Sequence, residues 1–254
     1  MATRQIDNWR QPAAAAVAAR ARLGVIVPSI NTVVEPWFSA VAPPGVTLHA
    51  ARMLLENDLT PEAVCRMDEE EGAHAALQLA SCRPDAIAYC CTASSIVEGA
   101  DYDRELKRKL ENLTGVPCFT AVHAAIEALR LMGARSIAVA SPYPDAIDLM
   151  EHRFFTDAGF TVLGSANLGI ADSYRLAEPT PDDIVELGLR AWCPDAEALL
   201  ITCLNTHSHG VVQQLEHRLG KPVITSTQAT LWKLLRLAGI ADPVAGYGRL
   251  LSAH

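Results

Sequence analysis

Two cysteines end apolar runs at matching places in the two halves of the chain. Asp85-Ala86-Ile87-Ala88-Tyr89-Cys90-Cys91 runs into Thr92-Ala93-Ser94-Ser95, and Ala198-Leu199-Leu200-Ile201-Thr202-Cys203 runs into Leu204-Asn205-Thr206. Each run follows a Pro-Asp-Ala step, Pro84-Asp85-Ala86 and Pro194-Asp195-Ala196. A thiol at the C-terminal end of a buried strand, ahead of small polar residues that open a helix, sits where loop amides and a helix N-terminus favour negative charge. One such thiol from each half, facing the other across a shared cleft, suits two-sided proton transfer or nucleophilic addition. Cys90 neighbours Cys91, and strand alternation turns the two in opposite directions, so Cys91 is assigned to the loop and Cys90 to the sheet packing.

Other strand ends fit the same picture. The first strand ends in Pro28-Ser29-Ile30-Asn31-Thr32 and its counterpart in Ser141-Pro142-Tyr143-Pro144-Asp145. The Asn31 amide and the Tyr143 hydroxyl suit holding a carboxylate without adding a charge that competes with a thiolate, although either residue alone also reads as a turn. Thr92, Ser94 and the loop backbone are candidates for stabilising a developing oxyanion. A second reading of Cys203 joins it to His207 and His209 as a C-x3-H-x-H metal site, but no carboxylate or second Cys pairs with them, so no metal is assigned. The acidic run Asp68-Glu69-Glu70-Glu71 reads as the solvated face of a helix. Cys65, Cys82, Cys118 and Cys193 read as small core or boundary residues.

Composition narrows the class. Net charge is −8 with no basic cluster, which argues against nucleic acid as a partner. No apolar run approaches the roughly 20 residues of a membrane span. The Ala13–Ala21 stretch lacks the Leu-rich centre of a signal peptide, and residues 1–21 read as an N-terminal extension. Seven cysteines, an odd number without a CxxC pair, point to a reducing cytoplasm rather than a disulfide framework.

Short β-branched runs alternate with helical patterns throughout. Strands are expected at Leu23–Pro28, Val46–Met53, around Ile87, at 116–121, Ser136–Ser141 and Phe160–Leu163, and around Leu199 and Val223. Helices are expected from Thr60-Pro61-Glu62, at Asp101–Asn112, Ala124–Met132 and Asp145–Asp157, from Thr180-Pro181, at His209–Leu219 and Thr227–Ala238. That alternation gives an α/β fold of parallel sheets with helices on both faces. The halves also repeat: Gly115-Val116-Pro117-Cys118-Phe119-Thr120 parallels Gly220-Lys221-Pro222-Val223-Ile224-Thr225, and Arg130-Leu131-Met132-Gly133 parallels Arg236-Leu237-Ala238-Gly239. The expected architecture is two pseudo-symmetric lobes, the first mainly 22–115 plus the C-terminal segment and the second mainly 116–225. Ligands of open parallel sheets bind beyond the carboxyl ends of the strands, which puts Cys91 and Cys203 on opposite walls of one cleft.

These residues resemble a known group. Val27-Pro28-Ser29-Ile30-Asn31-Thr32 is similar to the Val-Pro-Ser-Ser-Asn-Thr signature of maleate cis-trans isomerases. Cys91-Thr92-Ala93-Ser94-Ser95 and Cys203-Leu204-Asn205-Thr206 resemble their two cysteine loops, and Ser141-Pro142-Tyr143 their tyrosine position. Gly246-Tyr247-Gly248-Arg249-Leu250 resembles the tail of arylmalonate decarboxylase, a relative in the aspartate/glutamate racemase superfamily. The resemblance spans about residues 22–252. It implies an enzyme without cofactor or metal that acts on a small carboxylate and forms a homo-oligomer, a dimer or tetramer. It makes Cys91 the nucleophile and Cys203 its acid/base partner. Asn31, Tyr143, Thr92, Ser94, Leu204 and Asn205 would contact the substrate. Ser173 stands where these isomerases carry a further carboxylate-binding Asn, which leaves room for an acid other than maleate. Three activities stay open: cis-trans isomerisation, two-cysteine racemisation of an amino acid or hydantoin-type substrate, and decarboxylation. Arylmalonate decarboxylase has a small residue in place of the first cysteine, so Cys91 weighs against the last. A non-enzymatic bilobal binding protein would have no need of two strand-end thiols.

Overall fold

The computed structural model describes residues 19–254. Among these residues eight strands form two four-stranded parallel sheets of identical plan. The first sheet contains β1 (Ala21–Pro28), β2 (Val46–Met53), β3 (Ala86–Tyr89) and β4 (Cys118–Thr120), in the order β2-β1-β3-β4. The second contains β5 (Ser136–Ser141), β6 (Thr161–Asn167), β7 (Ala198–Ile201) and β8 (Val223–Thr225), in the order β6-β5-β7-β8. Adding four to each label of the first order gives the second, so the repeat read in the sequence is also a repeat of topology. The extension expected at 1–21 lies outside the described residues except for its last three positions, and Ala21 already opens β1.

The strands form where β-branched and small apolar residues run together. β1 is buried at seven of eight positions, as a strand covered on both faces must be. Gly24 is required there, because a Cβ would meet Ile87 Cγ1 at 2.9 Å and Leu79 Cδ2 at 3.1 Å. The lobe boundary lies later than expected. The strand that follows Gly115-Val116-Pro117 pairs with β3, so the first lobe runs through β4, and the second sheet opens only at Ser136.

Among the described residues ten α-helices cover the sheets: α1 (Val34–Val41), α2 (Pro61–Ala80), α3 (Thr92–Glu98), α4 (Ala100–Thr114), α5 (Ala121–Leu131), α6 (Asp145–Asp157), α7 (Pro181–Ala191), α8 (Val212–Leu219), α9 (Ser226–Leu237) and α10 (Arg249–Ala253). The caps follow the sequence signals. Thr60 and Thr180 accept from the amides of Ala63 and Asp183, each with Pro at the first helical position. The helix expected over His209–Leu219 starts instead as a 3-10 turn, His207–Val211, ahead of α8. The lobes join through α5 packed on α9, the corresponding helices of the two repeats, and through α3 on α6. One apolar core runs through lobe one and the junction, and a smaller core fills the outer side of lobe two. The tail bridges both: Tyr247 O accepts from Gln228 of α9, the Arg249 amide donates to Glu216 of α8, and Asp242 pairs with Arg20 beside β1 at 2.6 Å.

Candidate active site

The two repeats bring their cysteines to one cavity. Cys91 and Cys203 line it together with Asn31, Thr92, Tyr143 and Asn205. Its remaining wall is apolar, with Leu55, Leu59 and Leu176 from the loops after β2 and β6. Those loops clasp each other. The Leu59 amide donates to Ala171 O (2.9 Å), the Ser173 amide to Asn57 O (2.8 Å) and the Ser173 hydroxyl to Glu56 O (2.8 Å).

Cys91 is the N-cap of α3, and Ser94 is its N3 residue. The N-cap sulfur closes no full capping bond, yet the Ser94 hydroxyl and amide lie against it and pull its pKa down. Burial, with the Asp68 charge behind it, outweighs them and pushes the thiol up to about 12. Cys203 lies two residues past the end of β7 in the left-handed region, φ 73°, one of two non-glycine residues with positive φ among the described residues. A bulky side chain held there is strained, as functional residues often are. The Asn205 amide donates to its sulfur (3.4 Å) and the Tyr143 hydroxyl lies against it, but burial again dominates and the thiol also stands at about 12. The expectation of a thiolate favoured by helix and loop dipoles is thus corrected. Desolvation exceeds the dipoles, and both thiols hold their protons at neutral pH.

Asn31 serves twice. Its carbonyl oxygen accepts from the amides of Val33 (3.0 Å) and Val34 (2.9 Å), starting α1, and so leaves its NH2 group for the cavity. Asn205 is a strap between lobes: Oδ1 accepts from the Thr32 amide (2.9 Å) and Nδ2 donates to Ile30 O (3.2 Å). Its side-chain oxygen and nitrogen both bond to the Asn31 loop, and the second Nδ2 proton stays available to the cavity that Asn205 lines. Tyr143 is buried and turned to Cys203. Its hydroxyl pKa is raised by burial and then by the neighbouring thiol.

A family model described as arylmalonate decarboxylase matches residues 23–251. The chain belongs to this family. Maleate isomerase of Geobacillus stearothermophilus is 28% identical over 245 residues, 91% of this chain and 97% of that protein. Arylmalonate decarboxylase of Bordetella bronchiseptica is 29% identical over 231 residues, 88% and 96% of the two chains. The crystal structure of maleate isomerase Iso from Pseudomonas putida S16 matches with a TM-score of 0.87 at 28% identity, covering 92% of this chain and 98% of that one. Relatives with both activities stand at nearly equal identity, so the choice between them rests on the residues of the cavity.

Not every residue expected in the site faces it. Ser94 is buried behind Cys91 and donates to Asp68 (2.8 Å). Ser173 is buried too and staples the two loops. In both, a serine hydroxyl has a closer buried acceptor than the cavity. Leu204 does line the cavity, and so does Cys90, although the Cys90 thiol donates back to Ala88 O at 3.6 Å. His209 stacks on Trp37, ring centroids 4.4 Å apart, and burial takes its pKa to about 4. The acidic run is only partly a solvated face. Glu69 and Glu70 are exposed, but Asp68 is buried under the hydroxyls of Tyr89, Ser94 and Tyr102. Sequence reasoning missed this carboxyl, and a signal was present: Val64, Asp68, Gly72 and Ala76 recur every four residues along the buried stripe of α2.

Proposed function

We propose that the protein catalyses cis-trans isomerisation of maleate or a related unsaturated dicarboxylate by thiolate addition, rotation and elimination. The pairing of Cys91 and Cys203 in one cavity, with neutral donors around them, carries this reading. Breaking the double-bond character of an alkene between two carboxylates needs a nucleophile that is also a leaving group, which suits sulfur. The Cys91 thiolate attacks one alkene carbon, and the π electrons pass to the adjacent carboxylate as an enediolate. The Asn31 amide and the Thr92 hydroxyl stabilise that charge. The Cys203 thiol gives its proton to the carbanionic carbon. The new single bond rotates, Cys203 takes a proton back from the same carbon, and the sulfur leaves with its electron pair. The trans acid and the starting thiolate remain.

The reading includes catalysis without metal or cofactor, since thiol chemistry supplies every step. It also includes a homo-oligomeric state and a cytoplasmic location, which suits seven free thiols. A second reading is supported by the family model described as arylmalonate decarboxylase and by the arylmalonate decarboxylase relative at 29% identity. In that reaction Cys203 alone would protonate an enediolate left by loss of carbon dioxide, and Cys91 would have no role.

The test is proton NMR of the purified protein with maleate in deuterated buffer, beside phenylmalonate as the rival substrate. Growth of the fumarate signal, at least about a hundredfold weaker in both Cys91→Ala and Cys203→Ala and little changed in Cys90→Ala, supports the proposal. Loss of carbon dioxide from phenylmalonate with maleate untouched refutes it.

A further inference from the structure

We propose that the acid isomerised here carries a short alkyl group on its double bond, and that Leu55, Leu59 and Leu176 select it over maleate. The inference rests on the isomerase reading above and names the substrate class of the same cavity.

The lining is divided by strand of origin. Among the described residues, its polar side chains all follow inner strands of the two sheets: Asn31 after β1, Thr92 after β3, Tyr143 after β5 and Asn205 after β7. The lining residues that follow the edge strands β2 and β6 are all aliphatic: Leu55, Leu59, Val64 and Leu176. Each of these four is at most 5% exposed. Ser173 could have broken this wall, but it is wholly buried and donates its hydroxyl to Glu56 O at 2.8 Å. Its amide donates to Asn57 O and the Leu59 amide to Ala171 O, so the two loops that carry the leucines are bonded to each other.

The donors match two carboxylates and nothing more. Asn31 offers two amide protons, Thr92 one hydroxyl proton and Asn205 one amide proton, with the Tyr143 hydroxyl turned to Cys203. That gives two donors for each carboxylate of a maleate unit. The wall is left over. Maleate has only two C–H edges between its carboxylates, too little apolar surface to cover the leucines. A hydroxyl, amino or third carboxyl group placed there would lose its water and gain no partner. A methyl group fits the wall. On area alone it is worth about fourfold in affinity, and about tenfold to two-hundredfold where a pocket is shaped to it.

The reaction balances as it does for maleate. The Cys91 thiolate bonds to the alkene carbon that bears hydrogen, and the π electrons pass to the carboxylate beside the alkyl-bearing carbon. The Cys203 thiol gives its proton to that carbon, and the new single bond rotates. Cys203 takes a proton back from the same carbon, and the C–S bond breaks with its electron pair left on sulfur. The trans alkyl acid is released.

The experiment follows maleate and methylmaleate by proton NMR as they compete for the protein in deuterated buffer. The kcat/KM of methylmaleate should exceed that of maleate at least about tenfold. Leu59→Asn and Leu176→Asn keep the side chain near its size and put an amide in the wall, so each should lower that ratio at least about tenfold. A wild-type ratio of one or less overturns the proposal, whether or not the variants fold. Calorimetric titration with succinate and methylsuccinate separates this outcome from the isomerase reading, because neither saturated acid can react. If neither alkene is isomerised but methylsuccinate binds at least about fourfold tighter, the reaction is refuted and the alkyl-bearing acid stands as the ligand. Equal binding without isomerisation overturns both.

Discussion

Cys203 should behave as a thiol that keeps its proton, and the size of the effect follows from its surroundings. An ordinary cysteine stands at 9.0 and Cys203 at about 12, with burial the largest cause. At pH 8 about one ordinary thiol in ten is ionised, against about one in ten thousand for Cys203, a loss of roughly a thousandfold. A more basic thiolate is a better nucleophile, and a Brønsted slope of about 0.45 returns roughly twentyfold. The net expectation is labelling about fiftyfold slower than that of the same peptide in the urea-unfolded protein, before any steric shielding. The assay is a time course with iodoacetamide at several pH values, quenched and mapped by mass spectrometry. The rate should climb about tenfold per pH unit to at least pH 10. A plateau below pH 9 would show a thiolate already formed at neutral pH. It would refute the argument that desolvation outweighs the Asn205 amide and the Tyr143 hydroxyl.

Three further outcomes are expected. Asn205→Ala removes both hydrogen bonds from lobe two to the loop after β1, so it should cost about 1–3 kcal/mol in chemical denaturation and lower kcat at least about tenfold; an unchanged kcat would deny the strap a role in placing Asn31. Cys203→Gly should be about 1 kcal/mol more stable than Cys203→Ala in the same assay, because only alanine keeps a Cβ at φ 73°. Glu151 is wholly buried, with Thr202 as its donor and burial holding its carboxyl well above the usual range. The unfolded chain therefore ionises Glu151 first, and the wild type loses stability as pH rises from about 4.5 toward the folded pKa. Glu151→Gln should be the more stable protein at pH 8 and lose that advantage near pH 4; an equal difference at both pH values would mean that Glu151 is not held neutral.

What the chain reveals before folding depends on how local the cause is. The strand-end thiols were legible because apolar runs, Pro-Asp-Ala steps and Gly-x-Pro turns are all short-range signals, and they recur. The caps at Thr60 and Thr180 were legible for the same reason. Helix α1 was not, because it has Val33 at its N-cap and borrows the carbonyl of Asn31, which was read only as a carboxylate ligand or a turn. Ser94 and Ser173 were assigned to the cavity, but a hydroxyl points where its best buried acceptor lies, and Asp68 and Glu56 O are brought there by tertiary packing. The lobe boundary was set too early because a Gly-Val-Pro turn does not tell which sheet its strand joins. The reading of Cys91 as a ready thiolate fails for a related reason: a helix N-terminus is visible in a pattern, whereas the depth at which it is buried is not.

The raised thiols fit an anionic substrate better than preformed thiolates would. The side chains that line the cavity beside the cysteines are neutral amides, hydroxyls and aliphatic groups. A dicarboxylate entering a site that already held a thiolate would meet like charge in a low-dielectric space, at a cost of several kcal/mol. With both sulfurs protonated the site starts neutral and can use its donors on the substrate. The Cys91 thiol must then lose its proton as the substrate binds. The same logic explains the asymmetry of the two thiols. Cys91 sits at a helix N-cap beside the Ser94 amide and hydroxyl, whereas Cys203 sits on a strained turn against Tyr143 and a wholly buried Glu151, an arrangement that retains a proton until carbon needs it.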